Sequence, residues 1–250
     1  MQTYGLIGYP LSHSFSKDYF TKKFCAENIN AKYLNFPINE ISKIEEVVKN
    51  NPLLCGLNVT IPYKEKIIPF LDEIDKEAEE IGAVNVIKII KKSNKKPYLV
   101  GYNSDITGFK KSLEPLIKYP HSKALILGTG GASKAVAYSL KKMDIEFKFV
   151  SRNSKNKEVL TYNQLTPEII SSYKLIINTS PLGMYPNIDQ TPDIPYEGVS
   201  NKHLLYDLIY NPKQTLFMKK GAERGAKTEN GLKMLQLQAE QGWLIWNNKA

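Results

Sequence analysis

The chain reads as an α/β protein, and three features carry that expectation. Short apolar runs alternate with helix-period segments over most of its length. One run, Leu125-Ile126-Leu127, passes directly into Gly128-Thr129-Gly130-Gly131-Ala132-Ser133 and then into a helical pattern. Strand, glycine-rich turn and helix in that order bring backbone N–H groups to a phosphate at a helix N-terminus. The same order also makes a tight turn that binds nothing, and Ser133 stands where a third glycine or alanine is usual. Finally, 250 residues with 42% hydrophobic content suffice for one large or two modest domains without covalent staples.

Taken in order, residues 3–8 form a strand candidate ending in glycine, and residues 9–16 follow as a loop. Tyr19, Phe20 and Phe24 mark a helix, and residues 31–38 alternate as a strand. Ile41, Ile44, Val47 and Val48 space as a second helix, with Ser42-x-x-Glu45 offering a capping box. Residues 53–61 are strand-like around Gly56 and stop at Pro62. Residues 63–81 have helical composition, with Pro69 required near an end or a kink. Residues 84–90 and 98–102 pair across the lysine loop Lys91-Lys92-Ser93-Asn94-Lys95-Lys96.

The second half begins near Asn103. A helix over about 107–118 leads through Tyr119-Pro120 into the apolar run before Gly128. Ala132, Ala135, Val136, Ser139, Leu140 and Met143 give the next helix one face that packs. Residues 146–150 alternate as a strand, and residues 175–178 and 204–208 are short buried strands. The last helix, about 232–246, puts Leu232, Leu235, Ala239, Gly242, Trp243 and Trp246 on one side. Parallel strands with helical crossovers are the expected topology.

Composition narrows the partners. The net charge of +9 comes from 34 Lys+Arg against 25 Asp+Glu. Its densest cluster, the lysine loop, lacks the interleaved aromatics that stack on bases, so no nucleic-acid partner is expected. The field instead favours small anions. Cys25 and Cys55 match no metal or redox spacing, and His13, His121 and His203 are scattered, so reduced thiols and no metal are expected. His13 is read as a structural loop histidine. The first ten residues lack a basic region and a long apolar run, and no segment has the apolar length of a membrane span. A cytoplasmic protein is the expectation.

Three stretches carry chemistry. In a dinucleotide fold the end of the second strand reads the adenosine ribose, and an acidic residue there selects NAD. Here Ser151-Arg152-Asn153 holds that place, with no carboxylate. A guanidinium offers a planar fork of donors to a 2′-phosphate, so NADP is the expected cofactor; a solvated surface arginine is the alternative. In Asn58-Val59-Thr60-Ile61-Pro62-Tyr63-Lys64 a strand delivers a threonine and a proline-stiffened turn delivers a lysine. That pattern suits a small polar ligand, and equally a strand end with a solvated lysine. Gly101-Tyr102-Asn103-Ser104-Asp105 places a carboxylate at another strand exit. A lysine and an aspartate facing one another would supply acid–base function beside a hydride acceptor.

Eight motifs then stand in one order. They are Gly8-Tyr9-Pro10-x-x-His13-Ser14-x-Ser16, the Asn58–Lys64 stretch, Gly82-Ala83-Val84-Asn85, Asn103-Ser104-Asp105 and the Gly128–Ser133 loop. Asn178-Thr179-Ser180-Pro181-Leu182-Gly183-Met184, Asp207-Leu208-Ile209-Tyr210-Asn211-Pro212 and Asn230-Gly231-Leu232-Lys233-Met234-Leu235-x-x-Gln238-Ala239 complete the series. With them the chain resembles the shikimate dehydrogenase family over almost its whole length.

The resemblance implies an N-terminal α/β substrate domain, a Rossmann-type NADP-binding domain and a cleft between them. Residues 1–103 would form the first, completed by a C-terminal helix over about 233–250, and residues 104–232 the second. It implies reversible NADPH-dependent reduction of 3-dehydroshikimate to shikimate, in aromatic amino acid biosynthesis. Carried over by position, Ser14, Ser16 and Thr60 would grip the carboxylate and neighbouring groups, and Asn85, Asp105, Tyr210 and Gln238 the ring hydroxyls. Lys64 and Asp105 would form the catalytic pair. Gly128, Thr129, Gly130, Gly131, Ala132, Ser151, Arg152 and Asn153 would cradle NADP, with Leu208 and Gly231 lining the nicotinamide pocket. Small molecules are then the partners of a monomer or homodimer. Lys17, Ser104 and Lys233 replace the family's usual proline, threonine and glycine, which puts loop geometry in question more than activity. A quinate/shikimate dehydrogenase of relaxed choice and a non-catalytic NADP- or metabolite-binding regulator are the competing readings.

Overall fold

Two six-stranded sheets organise the molecule, whose computed structural model describes residues 1–11, 14–91, 95–117, 121–153, 156 and 158–249. The chain divides into two compact units, one comprising Met1–Ser104 with Ala239–Ala250 and the other Asp105–Gln238. The fold is α/β.

The first unit contains β1 (Gln2–Gly8), α1 (Phe15–Ala26), β2 (Ala31–Pro37), α2 (Ile44–Asn50), β3 (Leu54–Val59), β4 (Glu73–Ile74), α3 (Lys76–Ile81), β5 (Val86–Ile90) and β6 (Tyr98–Tyr102). Its strand order is β2-β1-β3-β5-β6-β4. β1 runs parallel to β2 and β3, whereas β5 is antiparallel to both β3 and β6. This sheet is therefore mixed, because the β5–β6 connection is too short for the crossover that a parallel pair needs. Residues 92–94 of the lysine loop, and His13, lie outside the described residues.

Both faces of this sheet are covered, and the pleat explains the apolar runs. Ile7, Leu57, Val59 and Ile87 point into one core, while Tyr4, Leu6 and Val86 point into another with Phe20, Phe24 and Trp246. Trp246 stacks on Tyr4 at 4.8 Å between ring centres and donates its indole N–H to Ile87 O at 3.0 Å. Gly56 is needed for that approach, since a Cβ there would sit 2.3 Å from the indole nitrogen.

The second unit contains α4 (Asp105–Leu113), β7 (Lys123–Leu127), α5 (Gly131–Lys142), β8 (Glu146–Ser151), β9 (Leu160–Thr161), α6 (Pro167–Ser172), β10 (Leu175–Asn178), β11 (Leu204–Asp207), α7 (Leu216–Glu223) and β12 (Lys227–Glu229). The chain closes with α8 (Leu232–Trp246), within which the unit boundary falls after Gln238. The order β12-β11-β10-β7-β8-β9 is parallel throughout. Ala124, Ile126, Ile177 and Tyr206 face one core and Leu125, Leu127, Ile176 and Leu205 the other. No helix of the described residues is long and apolar enough to cross a membrane.

Several local expectations need correcting. Residues 63–81 are not one helix: a 3-10 turn at Ile68–Phe70 carries Pro69, β4 follows, and Asp75 caps α3 by accepting from Glu77 N–H. Proline's missing N–H confines it to such a first turn. Ser42 lies inside a 3-10 turn, Ile41–Lys43, so α2 starts at Ile44 without a side-chain cap. The helix placed at 107–118 starts earlier, at Asp105, and gives way at Glu114 to a 3-10 turn containing Pro115. Its last residue and Tyr119-Pro120 lie outside the described residues. On α8, Leu232 is exposed, and Met234 takes the buried place instead.

Candidate active site

The first unit gathers polar side chains along one edge of its sheet, where β1 and β3 end together. Tyr9 N–H donates to Ile61 O at 3.2 Å and Thr60 N–H to Ile7 O at 3.0 Å, which ties the two strand exits. The turn after β3 is closed by Tyr63 N–H to Thr60 O at 2.9 Å, and Tyr63 anchors it through its hydroxyl, which donates to Ile38 O at 2.6 Å. Lys64 follows, half-buried, with its carbonyl accepting from Val84 N–H at 2.7 Å. Its backbone is thus pinned while its side chain carries the charge.

Asn85 sits on the same edge and is buried. Its carbonyl accepts from Val59 N–H at 2.8 Å, and its Oδ1 accepts from Ser104 N–H at 2.7 Å. Ser14 caps α1, its hydroxyl oxygen accepting from Lys17 N–H at 3.2 Å. That leaves the hydroxyl proton for an acceptor, at a helix end that favours anions. Ser16, also buried, lies near the Tyr33 phenol. Tyr33 in turn donates to Asn58 Oδ1 at 2.7 Å, and burial holds its phenol protonated far above the usual range. In the sequence Tyr33 is one alternating position of a strand and carries no functional signal. Asn58 stands within the Asn58–Lys64 motif, whose threonine and lysine carry its functional signal.

In the second unit, β7 has β8 on one side and β10 on the other, so the strand order turns at the exit of β7. Ligands of parallel sheets bind at such exits. Gly128 has φ +127°, and a Cβ there would sit 2.6 Å from Thr179 Oγ1, so glycine is required. Gly130 differs: its backbone is ordinary, at φ −82°, and apart from its chain neighbours no atom of the described residues lies within 4 Å of where a Cβ would be. Packing therefore does not demand glycine at 130, and a bare backbone beside the N-terminus of α5 is what a close-approaching phosphate requires. Ser133 is buried and donates to Gly130 O at 2.5 Å, so it fits where a third small residue belongs.

Gly128 N–H donates to Val150 O at 2.8 Å, which sets the glycine loop beside the exit of β8. Arg152 is the first residue past that strand and is exposed, as is Asn153. Ser151 donates to Asn153 O at 3.2 Å and shapes the turn. Thr129, Gly131 and Ala132 complete the loop and the first turn of α5. This edge therefore holds the N–H groups and the guanidinium that a 2′-phosphorylated dinucleotide would use.

Further along the same sheet, Leu208 N–H donates to Asn178 O at 2.9 Å and Gly231 N–H to Ile209 O at 3.0 Å. Gly231 packs so tightly that a Cβ would fall 2.0 Å from Leu208 O. Tyr210 is half-buried on this turn. Asp105 opens α4 and is buried. Gln238 is buried too, and donates to Leu235 O at 3.0 Å. Gly108 lets α4 approach α8, a Cβ there meeting Gln238 Cβ and Met234 O at 2.8 Å. Among the described residues no group of three or more metal-ligating side chains comes together.

Known proteins match this chain along its length. The model of the shikimate dehydrogenase substrate binding domain matches residues 6–87. A shikimate dehydrogenase (NADP(+)) of Carboxydothermus hydrogenoformans is 39% identical over 258 residues, covering 97% of this chain and 90% of the relative. A chorismate mutase/shikimate 5-dehydrogenase fusion protein from Clostridium acetobutylicum superposes with a TM-score of 0.86 at 35% identity, over 99% of this chain and 92% of that one. A shikimate dehydrogenase solved with NADP+ gives 0.84 at 34%, over 99% and 90%. The chain, with a polar sheet edge in one unit and a glycine-loop edge in the other, belongs to the shikimate dehydrogenase family.

Proposed function

We propose that this protein is an NADP-dependent shikimate dehydrogenase that interconverts 3-dehydroshikimate and shikimate. The observation that carries the reading is the polar edge of the first sheet. Ser14, Ser16, Thr60, Lys64 and Asn85 supply hydroxyls, an amide and one cation there, and a small polyhydroxylated acid needs that set rather than an apolar pocket. Ser14 and Ser16 take the carboxylate at the N-terminus of α1, with Thr60 beside them. Asn85, Asp105, Tyr210 and Gln238 take the ring hydroxyls. The first unit is then the substrate domain and the second the cofactor domain.

NADPH, when bound, supplies the hydride. Gly128, Thr129, Gly130, Gly131 and Ala132 would hold its pyrophosphate by backbone N–H groups, and Ser151, Arg152 and Asn153 its adenosine phosphate. Leu208 and Gly231 would shape the nicotinamide end. As the C3 carbonyl carbon is reduced, its oxygen gains negative charge; the Lys64 ammonium stabilises that charge and donates the proton that makes the hydroxyl. Asp105 orients the substrate hydroxyls. The enzyme works in the cytoplasm on small molecules, as a monomer or homodimer. Mixing the native protein with shikimate and NADP tests the reading: NADPH absorbance should grow with time, whereas binding without reduction would mean a regulator.

A further inference from the structure

Asp207 ends β11 with no exposed surface, and its carboxylate is satisfied by neutral groups. Oδ1 accepts from Asn178 Nδ2 at 3.1 Å and from Ile209 N–H at 3.0 Å, and Oδ2 accepts from the Thr215 hydroxyl at 2.6 Å. Burying a charge in such company costs stability that a neutral side chain would not cost. The three donors come from three segments: the end of β10, the turn after β11 and the N-cap of α7. Asn178 extends the frame, its Oδ1 accepting from Ser180 N–H at 3.0 Å and from the Ser180 hydroxyl at 2.6 Å. Its carbonyl receives Leu208 N–H, and Ile209 O receives Gly231 N–H. Leu208 is thus clamped between Asn178 on one side and Gly231 on the other.

We propose that Asp207 is a positioning residue for hydride transfer, holding the Leu208–Tyr210 turn in its working conformation by gathering Asn178, Ile209 and Thr215 on one carboxylate. The proposal rests on the roles given above to Leu208 and Tyr210. The choice of a carboxylate follows from Thr215. Its oxygen already accepts from Met218 N–H at 3.3 Å as the cap of α7, so its proton requires an acceptor. A carboxylate offers one on each side. An amide keeps the bonds at one oxygen and turns an N–H toward Thr215.

Asp207→Ala and Asp207→Asn test this with three readouts: steady-state rates, binding of 2′,5′-ADP, and hydrogen exchange of the 208–210 amides. The expected result for the alanine variant is a kcat about tenfold lower or more, faster exchange at 208–210, and 2′,5′-ADP affinity within about twofold of native. The asparagine variant keeps the Asn178 and Ile209 bonds but not the Thr215 bond, so its kcat should lie between those of the alanine variant and the native protein, near that of Thr215→Val. A folded alanine variant of native kcat would overturn the proposal, as would a loss of 2′,5′-ADP affinity in proportion to kcat. If Asp207→Ala does not fold, Thr215→Val decides. A kcat lowered about threefold or more with intact 2′,5′-ADP binding supports the frame, and native kcat refutes it. Failure of the native protein to reduce NADP with shikimate would instead refute the functional reading, while exchange at 208–210 still tests the frame.

Discussion

The two units prepare their ligands in different ways. In the first, the proposed site is made of side chains and the backbone holds them still: Lys64, Thr60 and Asn85 each have a main-chain group bonded to a neighbouring strand or turn. In the second, the proposed site is largely backbone, and side chains such as Thr179, Asn178 and Asp207 hold it in shape. The difference matches the ligands of the proposed function. A polyhydroxylated acid must be told from its isomers hydroxyl by hydroxyl, whereas a pyrophosphate is a dense anion that N–H groups at a helix end can meet. Substitutions should therefore harm the first unit by removing a functional group and the second by adding atoms.

The largest expected effect lies in the first unit. Lys64→Ala should lower kcat at least about a hundredfold while changing the KM for shikimate little, as for loss of a general acid. Near-native kcat in initial-rate assays would remove Lys64 from the chemistry. In the second unit, two glycines separate packing from binding. Gly128→Ala meets Thr179 Oγ1 at 2.6 Å at a left-handed φ, so its melting temperature should fall by about 5 °C or more. Gly130→Ala has open space and an ordinary φ, so it should melt within a few degrees of native. Yet its KM for NADP should rise roughly tenfold, because the methyl stands where a phosphate approaches. Equal melting losses in both would erase the distinction.

Arg152→Gln should raise the KM for NADP about tenfold, leave that for shikimate unchanged and narrow the preference over NAD. The last effect concerns pH. Burial pushes the Asp207 carboxyl up from 3.8 to about 6, against the pull of its Thr215, Ile209 and Asn178 hydrogen bonds. The native state therefore holds a proton that the unfolded chain has already lost between pH 4 and 6. The Asp207 contribution to stability falls as pH rises through that window, by at most about 3 kcal/mol. Melting of Asp207→Asn relative to native should accordingly shift in favour of the variant from pH 4 to pH 7. A pH-independent difference would place the carboxyl at its ordinary value.

The sequence displays these two modes unequally. Apolar runs such as Leu125–Leu127, and the alternation around Leu6 and Ile7, are local and mark their strands directly. The last helix was legible because Ala239, Gly242 and Trp246 repeat at helical spacing, and the structure buries them together. The mixed pairing of the first sheet was less visible, since strand direction depends on connections and not on composition. Residues 63–81 misled because lysine, glutamate and isoleucine suit a helix, while Pro69 and the pairing of Glu73–Ile74 with β6 decide otherwise. Tyr33 and Asp207 stayed hidden because their roles arise from partners distant in sequence. The register of β10 on β11, Asn178 opposite Asp207, creates the pair that neither strand announces. A polar residue closing an otherwise apolar strand was the available signal at both positions.

The most direct test of the account is a panel of kcat/KM values for shikimate and quinate, each with NADP and with NAD. A hydroxyl-reading edge in one unit and Arg152 in the other predict that shikimate with NADP exceeds every other pairing by about tenfold or more. NAD used as well as NADP would contradict the role of Arg152. Quinate turned over as well as shikimate would contradict the specificity ascribed to the polar edge.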